Sequence, residues 1–102
     1  MEFSELVSKA REVKEKYRET SQQQVGVAEY AKGFMGDVGD LVKLVMAKNE
    51  FRKGENVDEK LVHELSDCLW SILVIADELE IDIGSKFMEE MDILRKKIER
   101  GR

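Results

Sequence analysis

Apolar residues recur three and four positions apart along most of the chain, which is the spacing of amphipathic helices. The first such stretch predicts a helix from about Phe3 to Thr20. Its apolar positions are Phe3, Leu6, Val7, Ala10, Val13 and Tyr17. The opposite side is expected to be a solvated charged face, formed by Glu5, Lys9, Arg11, Glu12, Glu15 and Lys16.

A second, longer helix is predicted from the polar stretch "TSQQQ" to Lys53. Thr20 or Ser21 is expected to cap its N-terminus. Arg52 and Lys53 suit the negative end of a helix, and Gly54 suits the position just after it. The broad apolar face of this helix is formed by Ala31, Phe34, Met35, Val38, Leu41, Val42, Val45 and Met46.

Two further helices follow. In "GENVDE", Asn56 is a candidate N-cap and Glu59 stands three positions later, close to a capping box. This third helix is predicted to end at Leu79 or Glu80. The stretch "EIDIGS" then separates it from a last helix with apolar residues at Phe87, Met91, Leu94 and Ile98.

Composition supports one all-helical domain. Proline is absent, and β-branched residues do not form alternating runs. Hydrophobic residues make up 42% and charged residues 38% of the chain, enough apolar residues for a packed core. We therefore expect residues 1–102 to form a single domain with a modest core.

Charge and the single cysteine narrow the function classes. The net charge is −5, from 22 acids and 17 bases, and the bases form no stripe that would bind nucleic acid. Cys68 excludes an internal disulfide and fits a reducing compartment. The chain shows neither the apolar core of a signal peptide nor an apolar run of membrane-spanning length, so a cytoplasmic location is expected.

The third helix carries acids inside an apolar stretch. "CLWSILVIA" is apolar except at Ser71 and is predicted to be buried on all sides. On a helical wheel, Glu64 and Lys60 lie within roughly 60° of Asp67. Burying two carboxylates without a partner costs several kcal/mol per ion. Lys60 is one candidate partner, in a structural ion pair.

The second helix offers another pair of acids. The stretch "GFMGDVGDL" contains three glycines, each of which costs a helix roughly 0.5–1 kcal/mol. Asp37 and Asp40 are three positions apart, as Glu64 and Asp67 are, and antiparallel packing would bring the four carboxylates together. Such a site needs cations, and oxygen ligands favour Mg²⁺ or Mn²⁺. The glycines would allow another helix or a phosphate to approach closely.

His63 is the only histidine, so the Glu-x-x-His motifs of di-iron bundles are absent. We expect His63 to lie near the acids or at the surface rather than to bind the metal itself. Contact with a substrate, or with a residue that binds the metal, is left open as a role for it. Cys68 is expected to be buried and inert.

These motifs resemble the MazG-like family of all-α nucleoside triphosphate pyrophosphohydrolases. The first family motif, Gly-apolar-small-Gly-Glu-x-Gly-Glu-Leu, is similar to "GFMGDVGDL". The second, Glu-x-x-Asp followed by an apolar run and Ala-Asp-x-Leu-x-Ile, is similar to "ELSDCLWSILVIADELEIDI". The resemblance covers about residues 25–83. Both acids of the first motif are aspartate here, one methylene shorter than the glutamates of the family.

The resemblance implies a four-helix-bundle-type fold assembled as a homodimer or homotetramer. It implies that Asp37, Asp40, Glu64 and Asp67 hold Mg²⁺, or Mn²⁺, and that Asp37 or Glu64 accepts a proton from the attacking water. The reaction implied is cleavage of a nucleoside triphosphate to the monophosphate and pyrophosphate, with nucleotide-pool house-cleaning as one role. Candidate substrate contacts are Tyr30, Phe34, Lys60 and Trp70, although the aromatics also suit the core and lysines the surface.

Two alternatives remain open. One is phosphoribosyl-ATP pyrophosphohydrolase activity, which belongs to the same superfamily. The other is a helical oligomerisation module that binds metal or nucleotide with little or no catalysis, which the two aspartates in place of glutamates suggest.

Overall fold

The structure is a computed structural model that describes residues 1–21, 25–49 and 57–101, without the side chain of residue 49. It contains four helices: α1 (Phe3–Thr20), α2 (Val27–Asn49), α3 (Val57–Glu78) and α4 (Ile83–Arg100). Within the described ranges no residue lies in a strand, which confirms the all-α prediction.

The bounds of α1 agree with the prediction, but its C-terminus corrects the start of the next helix. The hydroxyl of Thr20 donates to the carbonyls of Lys16 and Tyr17, and the N–H of Ser21 also donates to Tyr17. Thr20 therefore completes α1, and Ser21 follows it in an extended conformation. The prediction that Thr20 or Ser21 caps the second helix is wrong.

The second helix begins at Val27 because Gly26 and Glu29 bond reciprocally. The Gly26 carbonyl accepts from the N–H groups of Glu29 and Tyr30, and the Glu29 carboxylate accepts from the Gly26 N–H at 3.0 Å. This arrangement satisfies N–H groups at the start of the helix, as in a capping box. The predicted end signals at Arg52, Lys53 and Gly54, and the predicted cap Asn56, lie outside the described residues.

The third helix ends at Glu78, one or two residues earlier than predicted. Glu80 has a left-handed φ of 58°, and the N–H of Ile81 reaches the carbonyl of Ala76 at 2.8 Å. This is the Schellman pattern, in which glycine usually occupies the left-handed position. The turn directs the chain into α4, whose first-turn N–H at Ser85 is capped by Asp82.

α2 and α3 form an antiparallel hairpin, and α1 lies against α3. Lys48 pairs with Asp58 at 2.6 Å at one end of the hairpin, and the rings of Tyr30 and Trp70 are 5.8 Å apart towards the other. Trp70 Nε1 donates to the carbonyl of Ala10 in α1 at 3.1 Å. The buried apolar residues are Ala10, Tyr30, Cys68, Leu73, Val74 and Ala76.

One side of the α2–α3 hairpin is uncovered. Leu69 and Ile72 of α3 are 45% and 44% exposed, so the single chain does not bury "CLWSILVIA" on all sides. The reason is that, among the described helices, α1 and α2 make the main contacts with α3, on two of its sides. The predicted apolar face of α2 is likewise divided: Phe34 and Leu41 are half-buried, whereas the exposed members are Ala31, Met35, Val38, Val42, Val45 and Met46.

The overall dimensions agree with an open arrangement. The Cα radius of gyration is 16.4 Å, compared with about 13 Å for a compact domain of this length. No helix in the described part of the chain combines the length and the apolar character needed to cross a membrane.

Candidate metal centre

The four predicted acids lie on the facing sides of α2 and α3. Asp37, Glu64 and Asp67 are half-buried, and Asp40 is exposed. The antiparallel hairpin sets the pair on α2 opposite the pair on α3, as the three-residue spacing on both helices predicts.

Asp37 shows the electrostatic effect of this arrangement. Burial raises the pKa of its carboxyl, and the nearby charges of Asp67 and Asp40 raise it further. His63 acts in the opposite direction. Like charges and loss of hydration both disfavour an ionised carboxyl, so Asp37 ionises at a cost in the absence of a cation.

Glu64 is affected in the same way from the other helix. Burial raises its pKa first, followed by the charges of Asp40, Asp37 and Asp67. Its Oε2 is buried and has no hydrogen-bond partner among the described residues. The four carboxylates are therefore close enough to repel one another, and one buried oxygen has an unmet acceptor position.

His63 lies beside the acids of α3. Its Nε2 is 3.1 Å from Oδ2 of Asp67, one helical turn away. One ligand atom from each of His63, Glu64 and Asp67 lies within 4.8 Å of the other two. Asp37 and Asp40 fall outside this close group. Each is one methylene shorter than glutamate, which keeps its carboxylate closer to α2.

The structure, in the residues it describes, does not contain the ion pair between Lys60 and an acid of α3 that was one candidate arrangement. Lys60 is exposed, and no ion pair joins it to Glu64 or Asp67 in the described part of the chain. Among the described residues, His63 is the base whose charge lowers the pKa of Asp37 and Glu64, and no lysine or arginine acts on them in this way.

The glycines of α2 leave open space. A Cβ at Gly33, Gly36 or Gly39 would have no atom within 4 Å among the described residues. Within the described part of the single chain, no helix makes the close approach that these glycines would allow. Space at these positions remains available to a ligand or to a second chain.

The predicted substrate contacts occupy different environments. Tyr30 and Trp70 belong to a cluster with Tyr17, with ring centroids 5.8–6.3 Å apart. Such edge and tilted contacts are typical of aromatic side chains in a core. A place in the core was the alternative to substrate contact for these residues. Phe34 is half-buried and Lys60 is exposed. Their roles towards a substrate stay predictions.

One buried residue of α1 and its partner on α3 were missed from the sequence. Lys14 is buried and pairs with Asp77, which the apolar spacing of α1 did not reveal. Arg11 is exposed, as predicted, and it also pairs with Asp77, at 2.7 Å. Lys14 lies between Ala10 and Tyr17 on the side of α1 that meets α3, and this helical position was the available signal.

Cys68 is buried, as predicted. Burial raises the pKa of its thiol, and the charges of Asp37, Glu64 and Asp67 raise it further. A thiol in such surroundings stays protonated and is a poor nucleophile.

Comparison of the chain with protein-family models, curated proteins and solved structures finds no match. The function is therefore inferred from the carboxylate arrangement and the sequence motifs.

Proposed function

We propose that the chain is a Mg²⁺-dependent nucleotide pyrophosphohydrolase of the MazG-like type. It would cleave a nucleoside triphosphate to the monophosphate and pyrophosphate, in a house-cleaning role on the cytoplasmic nucleotide pool. The observation that supports this proposal is the facing set of four carboxylates, in which Glu64 Oε2 is buried and has no hydrogen-bond partner in the part of the chain that the structure describes.

The residues present fit a divalent cation. Asp37, Asp40, Glu64 and Asp67 would hold Mg²⁺, or Mn²⁺, through carboxylate oxygens, the ligands that these ions prefer. A bound cation would offset the repulsion between these carboxylates. It would also give the buried Oε2 of Glu64 a partner, which that oxygen lacks among the described residues. Bound there, the ion would neutralise triphosphate charge and make a water molecule a stronger nucleophile towards the α-phosphorus.

The chain supplies a proton acceptor and a substrate surface. Asp37 and Glu64 are both candidates for the acceptor, because each is a half-buried carboxylate, one on either helix of the site. Phe34 is half-buried one helical turn from Asp37 and takes no part in the Tyr17–Tyr30–Trp70 cluster, so it is the aromatic we favour for contact with the base. Lys60 is exposed and is a candidate for the phosphates.

The proposal is tested by incubating the full chain with a panel of ribo- and deoxyribonucleoside triphosphates in the presence of Mg²⁺. Chromatography of the nucleotide product and a pyrophosphate assay separate monophosphate formation from release of orthophosphate. We expect one monophosphate per pyrophosphate for at least one substrate. Absence of turnover across the panel, with Mn²⁺ as well as Mg²⁺, would defeat the proposal.

A matched pair of variants locates the activity. Asp67→Asn removes a carboxylate charge from the site and is expected to abolish both metal binding and turnover. Asp58→Asn makes the same change at an exposed position near the start of α3, where Asp58 pairs with Lys48. Equal turnover by the two variants would place the reaction elsewhere.

A second candidate function is nucleotide and metal binding without useful catalysis. It is favoured by one observation: Asp37 and Asp40 lie outside the close group of His63, Glu64 and Asp67. Under this alternative, Mg²⁺ with a triphosphate raises the melting temperature while no product forms. The substrate panel distinguishes the two functions.

We also infer that the chain self-associates through the uncovered side of the hairpin, as a dimer or tetramer. Because α2 and α3 are antiparallel, their exposed apolar stripes lie on the same side of the hairpin. Two such sides packed together make a four-helix bundle. The residues on this surface are Met35, Val38, Val42, Val45, Val62, Leu65, Leu69 and Ile72.

Sedimentation equilibrium tests this association. Leu69→Glu places a charge at the centre of the exposed stripe and is expected to halve the mass of the particle. The side chain is already half exposed in the single chain, so helix content by circular dichroism should stay unchanged. A wild-type chain that sediments at monomer mass contradicts this inference.

A further inference from the structure

The last helix carries an apolar stripe that the rest of the chain leaves uncovered. Phe87, Met91, Leu94 and Ile98 are between 39% and 53% exposed. α4 is held near its first turn, where a Cβ on Gly84 would lie 2.7 Å from the ring of Phe3. Every position from 85 to 101 is exposed. None of its residues belongs to the proposed metal centre or to the uncovered side of the hairpin.

The stripe has the geometry of a coiled-coil seam. Its residues are spaced four, three and four positions apart, the heptad pattern of paired helices. A groove of about 370 Å³ is lined by Met91, Leu94, Arg95, Ile98 and Glu99. The first four stand at positions i, i+3, i+4 and i+7, which form the hole that receives a side chain from a facing helix.

Charges along one edge of the stripe are complementary. Glu90 and Lys97 each precede a stripe residue, Met91 and Ile98, so both flank the same edge. The ion pairs along the described part of α4 are Lys86 with Glu89, Arg95 with Asp92 and Arg95 with Glu99. Neither Glu90 nor Lys97 belongs to one of them.

We propose that α4 pairs with α4 of a second copy of this chain in an antiparallel arrangement. When Met91 faces the partner's Leu94, the same register sets Phe87 against the partner's Ile98. Glu90 then lies opposite the partner's Lys97, and the two-fold axis repeats this pair. A parallel pair leaves Glu90 and the partner's Lys97 about 10 Å apart along the axis.

Charge exchange tests both the partner and the direction. Sedimentation equilibrium is run on the full chain as wild type, Glu90→Lys, Lys97→Glu and the double variant. Each single change replaces two attractive pairs with two repulsive ones and is expected to weaken association roughly tenfold. The double variant reverses both charges and restores the wild-type association constant. Failure of the double variant to recover would overturn the antiparallel pair.

Controls on the outer face of α4 separate this contact from a general charge effect. Glu89→Lys and Lys96→Glu change the net charge by the same amounts and are expected to leave association unchanged. Single variants that behave like these controls would refute the proposal. Measured in a Leu69→Glu background, the α4 contact is observed apart from any contact through the hairpin.

The apolar stripe is tested by Leu94→Glu, which should lower the mass of the particle without changing helix content, since Leu94 is exposed in the single chain. Unchanged mass would overturn the proposal. So would a monomeric wild-type chain whose stripe instead binds phospholipid vesicles.

Discussion

Lys14 donates a hydrogen bond from Nζ to Oδ2 of Asp77 at 2.5 Å, and this contact joins α1 to the last turn of α3. Lys14 is 5% exposed, whereas Asp77 retains some contact with solvent. The guanidinium of Arg11 donates to the other carboxylate oxygen, Oδ1, at 2.7 Å from Nη2. One carboxylate therefore neutralises a buried ammonium and also anchors a second cation.

Asp77→Asn is expected to lower the free energy of unfolding by about 2 kcal/mol, because it leaves Lys14 buried without an opposite charge. Urea unfolding of the two proteins measures the difference. Glu12→Gln is the matched control, since the Lys9–Glu12 pair is exposed on both sides and such pairs contribute little. A loss no larger for Asp77→Asn than for the control contradicts this account.

Acid should weaken the same contact. Hydrogen bonds from Arg11 and Lys14 lower the pKa of Asp77 from 3.8 to about 2. A carboxyl with a depressed folded-state pKa stabilises the fold above its unfolded pKa, and this stabilisation of about 2 kcal/mol is lost between about pH 4 and pH 2. Unfolding free energies over this range should fall less steeply for Asp77→Asn than for wild type. Equal slopes would show that Asp77 is not the group titrating.

Helical periodicity predicted the class of fold and the full extent of α1, because apolar spacing reports which side of a helix meets the core. It did not predict the start of α2, where Glu29 reaching back to Gly26 outweighs the cap offered by Thr20. Burial of Lys14 was also missed, because a lysine inside an apolar face becomes favourable only through a distant partner, Asp77.

The proximity of the two acid pairs could be predicted, because acids three residues apart share one face of a helix and antiparallel packing sets the two faces opposite each other. Which carboxylates come closest could not, since that depends on side-chain length and rotamer: Glu64 and Asp67 group with His63, and Asp37 and Asp40 do not. The open space at the glycines likewise depends on neighbours that the pattern does not specify.

Glu64→Gln should stabilise the metal-free protein. Burial and neighbouring carboxylates raise the pKa of Glu64, so ionisation of this group above its unfolded pKa of about 4.5 opposes folding, and the amide removes that opposition. Differential scanning calorimetry at pH 7 in EDTA should show a melting temperature a few degrees higher than wild type. With Mn²⁺ the order should reverse, because only wild type gains stability from the ion.

Glu59→Gln, at an exposed position on the same helix, is the control and should leave the melting temperature nearly unchanged in both conditions. If Glu64→Gln instead has a lower melting temperature than wild type in EDTA, the ionised Glu64 carboxylate stabilises the metal-free fold, and the account based on its raised pKa is wrong.

His63→Ala is expected to reduce Mn²⁺ affinity by up to about tenfold. His63 Nε2 lies 3.1 Å from Asp67 Oδ2, and groups that hold a metal ligand in place contribute to affinity. The imidazole is 69% exposed, so solvent partly replaces it. Calorimetric titration measures the change, and Lys60→Ala, exposed on the same helix, should retain full affinity. Identical affinities for the two variants would remove His63 from the site.

Gly36→Ala distinguishes the effect of this glycine on the stability of α2 from its effect on turnover. A Cβ at Gly36 has open space, so alanine should stabilise the free chain by about 0.5–1 kcal/mol. Gly36 also lies within roughly 40° of Asp40 on the helical wheel, where a methyl group would obstruct a phosphate approaching the carboxylates. We therefore expect urea unfolding to show a gain while pyrophosphate release falls. Gly39→Ala, roughly 100° from Asp40 and 160° from Asp37, should show the gain with turnover retained. Gly36→Ala that gains stability and keeps full turnover would show that no ligand needs this space.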